Sequence, residues 1–255
     1  MRSWTLALVV ALGACRTTTP PAPPPESAWE APLTFEDGVF LVEALVDGQP
    51  TRLVLDTTSP GCALLGKPGE HTVTLSGQRL DTTSWTTLDD AALTARGIGG
   101  VMSPQTIQRD GAIVVDFPRK RLVSLRGKLN AWLRWLDERA PKSVVESLPR
   151  ASQDGALAVM ARPGDGREAV TRLDSRAPAS EFVAALFDPA LVAGKTTLEG
   201  VHVRLGDSEF GPLRVNVAPA LEGREGSLGL DVLGSVVLMV PAAPNQPLWV
   251  MSPRE

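Results

Sequence analysis

The stretch Arg52-Leu53-Val54-Leu55-Asp56-Thr57-Thr58-Ser59-Pro60-Gly61-Cys62-Ala63-Leu64-Leu65 decides how this chain reads. Three aliphatics in a row have no polar face, so Leu53-Val54-Leu55 reads as a buried strand. The strand ends in one carboxylate, two hydroxyls and a Pro-Gly break. An acid at the lip of a core needs hydrogen bonds or a chemical role to offset its desolvation. An Asx turn, in which Asp56 accepts from the backbone two residues on, meets that need without any function. A catalytic carboxylate meets it equally well. One copy of the pattern leaves both open.

A second copy stands downstream. Asp37-Gly38-Val39-Phe40-Leu41-Val42 precedes Asp56, with Asp47-Gly48 between. Asp154-Gly155-Ala156-Leu157-Ala158-Val159 precedes Arg172-Leu173-Asp174-Ser175-Arg176-Ala177-Pro178, with Asp165-Gly166 between. The Asp-Gly lies 19 residues before the strand-end Asp in one copy and 20 in the other. The copies also end alike. Gly97-Ile98-Gly99-Gly100-Val101-Met102 leads into Ala112-Ile113-Val114-Val115-Asp116, and Gly226-Ser227-Leu228-Gly229-Leu230-Asp231 leads into residues 235–240. A repeat of this length means one supersecondary plan used twice.

With these motifs the chain resembles the aspartic proteases of the pepsin and retropepsin type. Their lobe carries Asp-Thr/Ser-Gly after an apolar strand and an apolar-apolar-Gly element downstream. The resemblance implies an all-β fold with a few short helices, built as two pseudo-symmetric β-barrel lobes. It assigns residues 33–127 to the first lobe, 128–150 to an interlobe helix and linker, and 151–255 to the second lobe. It implies a catalytic pair, Asp56 and Asp174, and a supporting set, Thr57, Ser175 and Ser59. In this family two carboxylates share one proton; one acts as base on a water and the other as acid toward the peptide carbonyl. Thr57 and Ser175 keep the hydroxyls that bind across the lobes, and Ser59 is an expected outer donor. Trp85 is the flap-tip candidate, against the alternative of an ordinary packed Trp.

The sequence departs from the family at the motif glycines, which are Thr58 and Arg176 here. Thr58 is β-branched and stiff where the backbone must approach acid and substrate closely. A cation near Asp174 favours a fully ionised site over a shared proton. Arg176 is therefore expected to pair with Asp174 and to decide activity. Two functions follow: an aspartic peptidase acting through Asp56 and Asp174, or an inactive relative that binds a peptide or partner protein in the interlobe cleft.

Composition fits either. The chain has 255 residues, 43% hydrophobic and 21% charged, as in a packed protein of two modest lobes. Its 22 Pro and 23 Gly suit many turns and an all-β plan. A formal net charge of -4 leaves no footprint for nucleic acid. Two His and two Cys make no metal-ligand cluster, and no metal or cofactor is expected. Gly206-Asp207-Ser208 lacks a later His to complete a hydrolase triad.

The N-terminus reads separately. Met1-Arg2-Ser3 is a short basic start, and residues 4–12 form an apolar run too short to remain as a membrane span. Leu12-Gly13-Ala14-Cys15 looks like a bacterial lipobox, with residues 1–14 a signal peptide and Cys15 the lipidated residue. Residues 15–32 are Pro- and Thr-rich and read as a stalk. A lipid-anchored protein of the cell envelope is expected, at the outer membrane because Arg16 is not Asp. With Cys15 lipidated, Cys62 has no disulfide partner and reads as a buried small hydrophobe. Residues 128–139 carry Leu129, Trp132, Leu133 and Leu136 at helical spacing, and residues 179–186 read as a second helix.

Overall fold

The computed structural model describes residues 27–66, 69–80, 85–107, 110–139, 143–151, 155–221 and 223–253. The signal peptide, Cys15, most of the expected stalk and Asp154 lie outside them.

Two Asp-Gly pairs start the first lobe. Asp37-Gly38 and Asp47-Gly48 all take positive φ, between 49° and 80°. That is the backbone of a tight hairpin turn whose twist matches the flanking strands, and Asp-Gly supplies it at little steric cost. The first turn joins Ser27–Glu36 to Val39–Val46, and the second joins Val39–Val46 to Gln49–Leu55. Gln49–Leu55 then lies parallel to Gly100–Met102, with Leu53 opposite Gly100, and Ala63–Leu65 packs antiparallel on its far side.

The second lobe repeats the pairing. Ala158–Pro163 is antiparallel to Ala169–Leu173, which runs parallel to Gly226–Leu228 with Thr171 opposite Gly226. Glu181–Val183 then pairs antiparallel with Gly226–Leu228. In this lobe the strands close into a barrel through Ser208–Ala218 and Thr197–Leu205. In the first lobe they continue the large sheet.

Between the lobes lies a six-strand run in the order Ser143–Leu148, Leu248–Pro253, Val237–Pro241, Ala112–Asp116, Arg121–Leu125, Ser27–Glu36. The order is its own mirror under exchange of lobes: the strand after each lobe's Gly element sits at the centre, and each lobe's first strand lies outermost. The central pair, Val237 opposite Asp116 through Pro241 opposite Ala112, is where the pseudo-two-fold passes. One buried cluster runs from Leu53 and Leu55 through Val115 and Leu238 to Leu173 and Phe182, so the lobes share a core. The other face of the interlobe sheet is covered by the helix Leu129–Arg139, whose Trp132, Trp135 and Leu136 pack on Val114, Val123 and Met239.

Three expectations change. The first-lobe strand reaches back to Ser27, into the expected stalk, because its N-terminal half pairs with Arg121–Leu125. Ser143–Leu148, inside the expected linker, is a sheet strand paired with Leu248–Pro253. Residues 179–186 do not form a helix: Glu181–Val183 is a strand and Ala184–Leu186 a single 3-10 turn. The Gly226–Leu228 strand offers a free edge there, and ladder bonds plus burial of Phe182 outweigh local helical preference.

Candidate active site

Each lobe ends its parallel-paired strand in an acid. The Asp56 N–H donates to the Met102 carbonyl at 3.0 Å and the Asp174 N–H to the Leu228 carbonyl at 2.8 Å, so both turns hang from the Gly-element strands in the same way. Beyond the acid, each turn folds back on it. Oδ1 of Asp56 accepts from the N–H groups of Thr58 (2.8 Å) and Ser59 (3.1 Å). Oδ1 of Asp174 accepts from the N–H groups of Arg176 (2.9 Å) and Ala177 (3.1 Å). These are Asx turns, and they use one oxygen of each acid.

The two turns are locked together by the hydroxyls next to the acids. Thr57 Oγ1 donates to the Leu173 carbonyl at 2.5 Å and accepts from the Ser175 N–H at 2.9 Å. Ser175 Oγ donates to the Leu55 carbonyl at 2.8 Å and accepts from the Thr57 N–H at 3.1 Å. Thr57 and Ser175 are fully buried, so these bonds are shielded from competing water. Residues 118 positions apart are held in direct contact, so the turn that carries Asp56 lies against the turn that carries Asp174.

The free oxygens differ. Oδ2 of Asp56 accepts from Nη1 of Arg176 at 3.3 Å, an ion pair reaching across the lobes. The expected partner of Arg176 was Asp174, its neighbour in sequence. The turn that gives the Arg176 backbone N–H to Asp174 leaves the side chain pointing to the opposite lobe. Asp56 is buried with both oxygens engaged, while Asp174 is half-buried.

Other site residues are also relocated. The Ser59 hydroxyl donates to the Gly61 carbonyl at 2.6 Å, and the Thr58 hydroxyl takes the expected outer role, donating to Asp56 Oδ1 at 2.7 Å. Trp85 is 3% exposed and belongs to the core cluster, so it is no flap tip. Cys62 is free and buried, its thiol pushed up by burial, which hydrogen bonds from Thr106 and Ser103 only partly oppose.

A supporting layer escaped sequence reasoning. Ser103 Oγ donates to the Ser59 carbonyl at 2.8 Å, and its N–H meets Cys62 Sγ at 3.4 Å. In the second lobe Ser180 gives its N–H and its hydroxyl to Asp231 at 2.9 and 2.7 Å, and Gly229 N–H donates back to Ser180 Oγ at 3.1 Å. Cys62 and Ser180 each stand six residues after their acid, and that equal offset was the available signal. Gln105 of the first lobe donates to the Gly155 carbonyl of the second and tightens the contact beside Pro60.

No protein-family model matches the chain, and no curated protein matches it. Among solved structures it is similar to the aspartic proteinase from Irpex lacteus, with a TM-score of 0.59 and 12% sequence identity over 88% of this chain and 97% of that one. The fold is therefore the pepsin-like β fold of the aspartic proteinases, over nearly the whole length of that enzyme.

Proposed function

We propose that this pepsin-like chain holds an extended peptide, or a segment of a partner protein, in the cleft between its lobes and does not cut it by the shared-proton route. The observation that carries this is the 3.3 Å contact between Arg176 Nη1 and Asp56 Oδ2. A proton-sharing dyad needs two carboxyl oxygens facing each other with one proton between them. Here Oδ2 of Asp56 meets a fixed cation and Oδ1 is taken by its own turn, so both Asp56 oxygens are already engaged. The intact lock at Thr57 and Ser175 supports the peptidase as the second reading, because it ties together the two turns that carry the acids.

One experiment decides between them. A diverse peptide pool is incubated in acid with wild type, Thr58→Gly/Arg176→Gly, and Asp56→Asn, and scored for retention and for cleavage. Wild type is expected to retain peptides intact. The double variant is expected to gain acid-dependent cleavage, because the motif glycines are restored and Asp56 Oδ2 is released from the cation. Acid-dependent cleavage by wild type that Asp56→Asn abolishes establishes the peptidase instead.

The N-terminal sequence supports a lipid anchor at Cys15 and a place at the outer membrane. Cys15→Ser should abolish incorporation of labelled fatty acid and move the protein to the soluble fraction; unchanged labelling refutes the anchor.

A further inference from the structure

The site is asymmetric in a way that a simple loss of function does not require. Asp56 is saturated: Oδ1 has three donors and Oδ2 has Arg176. Asp174 is engaged through Oδ1 alone, and its side chain is half-buried rather than sealed. The Arg176 guanidinium is 40% exposed and spends one nitrogen on Asp56, while a guanidinium has five N–H donors. One open carboxylate oxygen and a set of open cationic donors therefore belong to the same turn, residues 174–176. The lock between Thr57 and Ser175 keeps that turn against Asp56.

The geometry points to a second hydrolytic route in this cleft, in which the Arg176 guanidinium takes the place of the shared proton and Asp174 is the only base. It rests on the reading that the cleft seats a peptide. Asp174 Oδ2 removes a proton from a water as the water oxygen bonds to the peptide carbonyl carbon. The carbonyl π pair moves onto oxygen, and the Arg176 N–H groups stabilise the oxyanion by hydrogen bonds and charge. The tetrahedral intermediate collapses, the C–N bond breaks, and the proton held by Asp174 passes to the leaving nitrogen. Products are an acid and an amine. Arg176 keeps all its protons, so no protonated carboxyl is needed at the start. Asp56 is a positioning residue that holds the guanidinium, and Thr58 and Ser59 hold Asp56.

The pH dependence is opposite to that of the dyad. A base that must begin ionised works at near-neutral pH and stops in acid, whereas a shared-proton pair needs acid to retain its proton. The roles of the two acids are also unequal, whereas the dyad needs both.

The test uses the full chain and the peptide pool at near-neutral and at acidic pH, measuring retention and cleavage separately. Wild type is expected to cleave slowly near neutrality and not in acid. Asp174→Asn should lower the rate by about 10²–10⁴-fold, the usual worth of a positioned general base. Arg176→Gln should lower it by about 10²–10³-fold, as for a lost oxyanion donor, with partial recovery in Arg176→Lys. Asp56→Asn should lose less than either and keep the wild-type pH profile. Retention of peptides without cleavage near neutrality overturns this inference and leaves the binding function standing; neither retention nor cleavage overturns both. Cleavage that Asp56→Asn and Asp174→Asn abolish alike, strongest in acid, restores the dyad and overturns it, as does cleavage unchanged in Asp174→Asn.

Discussion

At Thr57 one hydroxyl serves two backbone groups of the other lobe, the Leu173 carbonyl and the Ser175 N–H. Valine has nearly the same shape without the oxygen. Thr57→Val therefore strands two polar groups in a fully buried position, each costing about 1–3 kcal/mol. We expect the urea midpoint to fall with the slope unchanged. Thr58→Val is the comparison: its hydroxyl bonds only Asp56 Oδ1, which keeps two backbone donors, so its loss should be smaller. Equal midpoints for Thr57→Val and wild type would refute the lock. At the same scale, Arg176 shows why the motif substitutions are not equivalent. Thr58 adds a bond to its own acid, while Arg176 takes an oxygen from the other lobe's acid.

At the scale of elements, the parallel strand pairs that carry the acids depend on a residue with no side chain. Gly100 and Gly226 stand at equivalent register positions, opposite Leu53 and Thr171. A methyl group on Gly226 would lie 2.5 Å from Phe182 Cδ1 and 2.9 Å from Thr171 Oγ1. Phe182 is fully buried and has nowhere to go. Gly226→Ala should cost about 1–3 kcal/mol through overpacking. Gly61→Ala is the control, since it has open space and no positive φ, and should be near neutral. The measurement is denaturant unfolding; indistinguishable midpoints for the two variants would refute the packing account. The hairpin turn at Asp47-Gly48 was legible because Asp-Gly chemistry is local. The strand at Glu181–Val183 was not, because its preference was overridden by an edge supplied from residues 226–228.

At the scale of the whole molecule, the two lobes are one folding unit, since the interlobe sheet takes three strands from each and the main core runs through it. The helix Leu129–Arg139 seals that sheet with Trp132 and Trp135, and Arg139 lies 4.1 Å from the Trp135 ring centre. Trp135→Ala should cost about 3–5 kcal/mol, the usual range for a buried aromatic. The residues beneath the helix come from both halves of the sheet, Val114 and Val123 from one and Met239 and Met251 from the other. Unfolding should therefore stay a single calorimetric transition at a lower temperature, with hydrogen-exchange protection lost in both lobes. Loss confined to one lobe would refute the shared unit.

The duplicated strand-turn pattern and its two strand-end acids could be read from the chain, because each copy depends on neighbours within a few residues and the plan is written twice; the locking part of Thr57 and Ser175 came only from the family resemblance, since it joins residues 118 positions apart. The partner of Arg176 could not. Sequence proximity favoured Asp174, but the Asx turn gives the Arg176 backbone N–H to Asp174 Oδ1 and aims the side chain at Asp56, 120 residues away. Trp85 likewise sits in a core that exists only once distant strands have met. Local chemistry determined where the turns are and which groups they carry; the docking of one lobe on the other decided which of those groups face each other, because only docking sets the direction of a side chain that leaves its own turn.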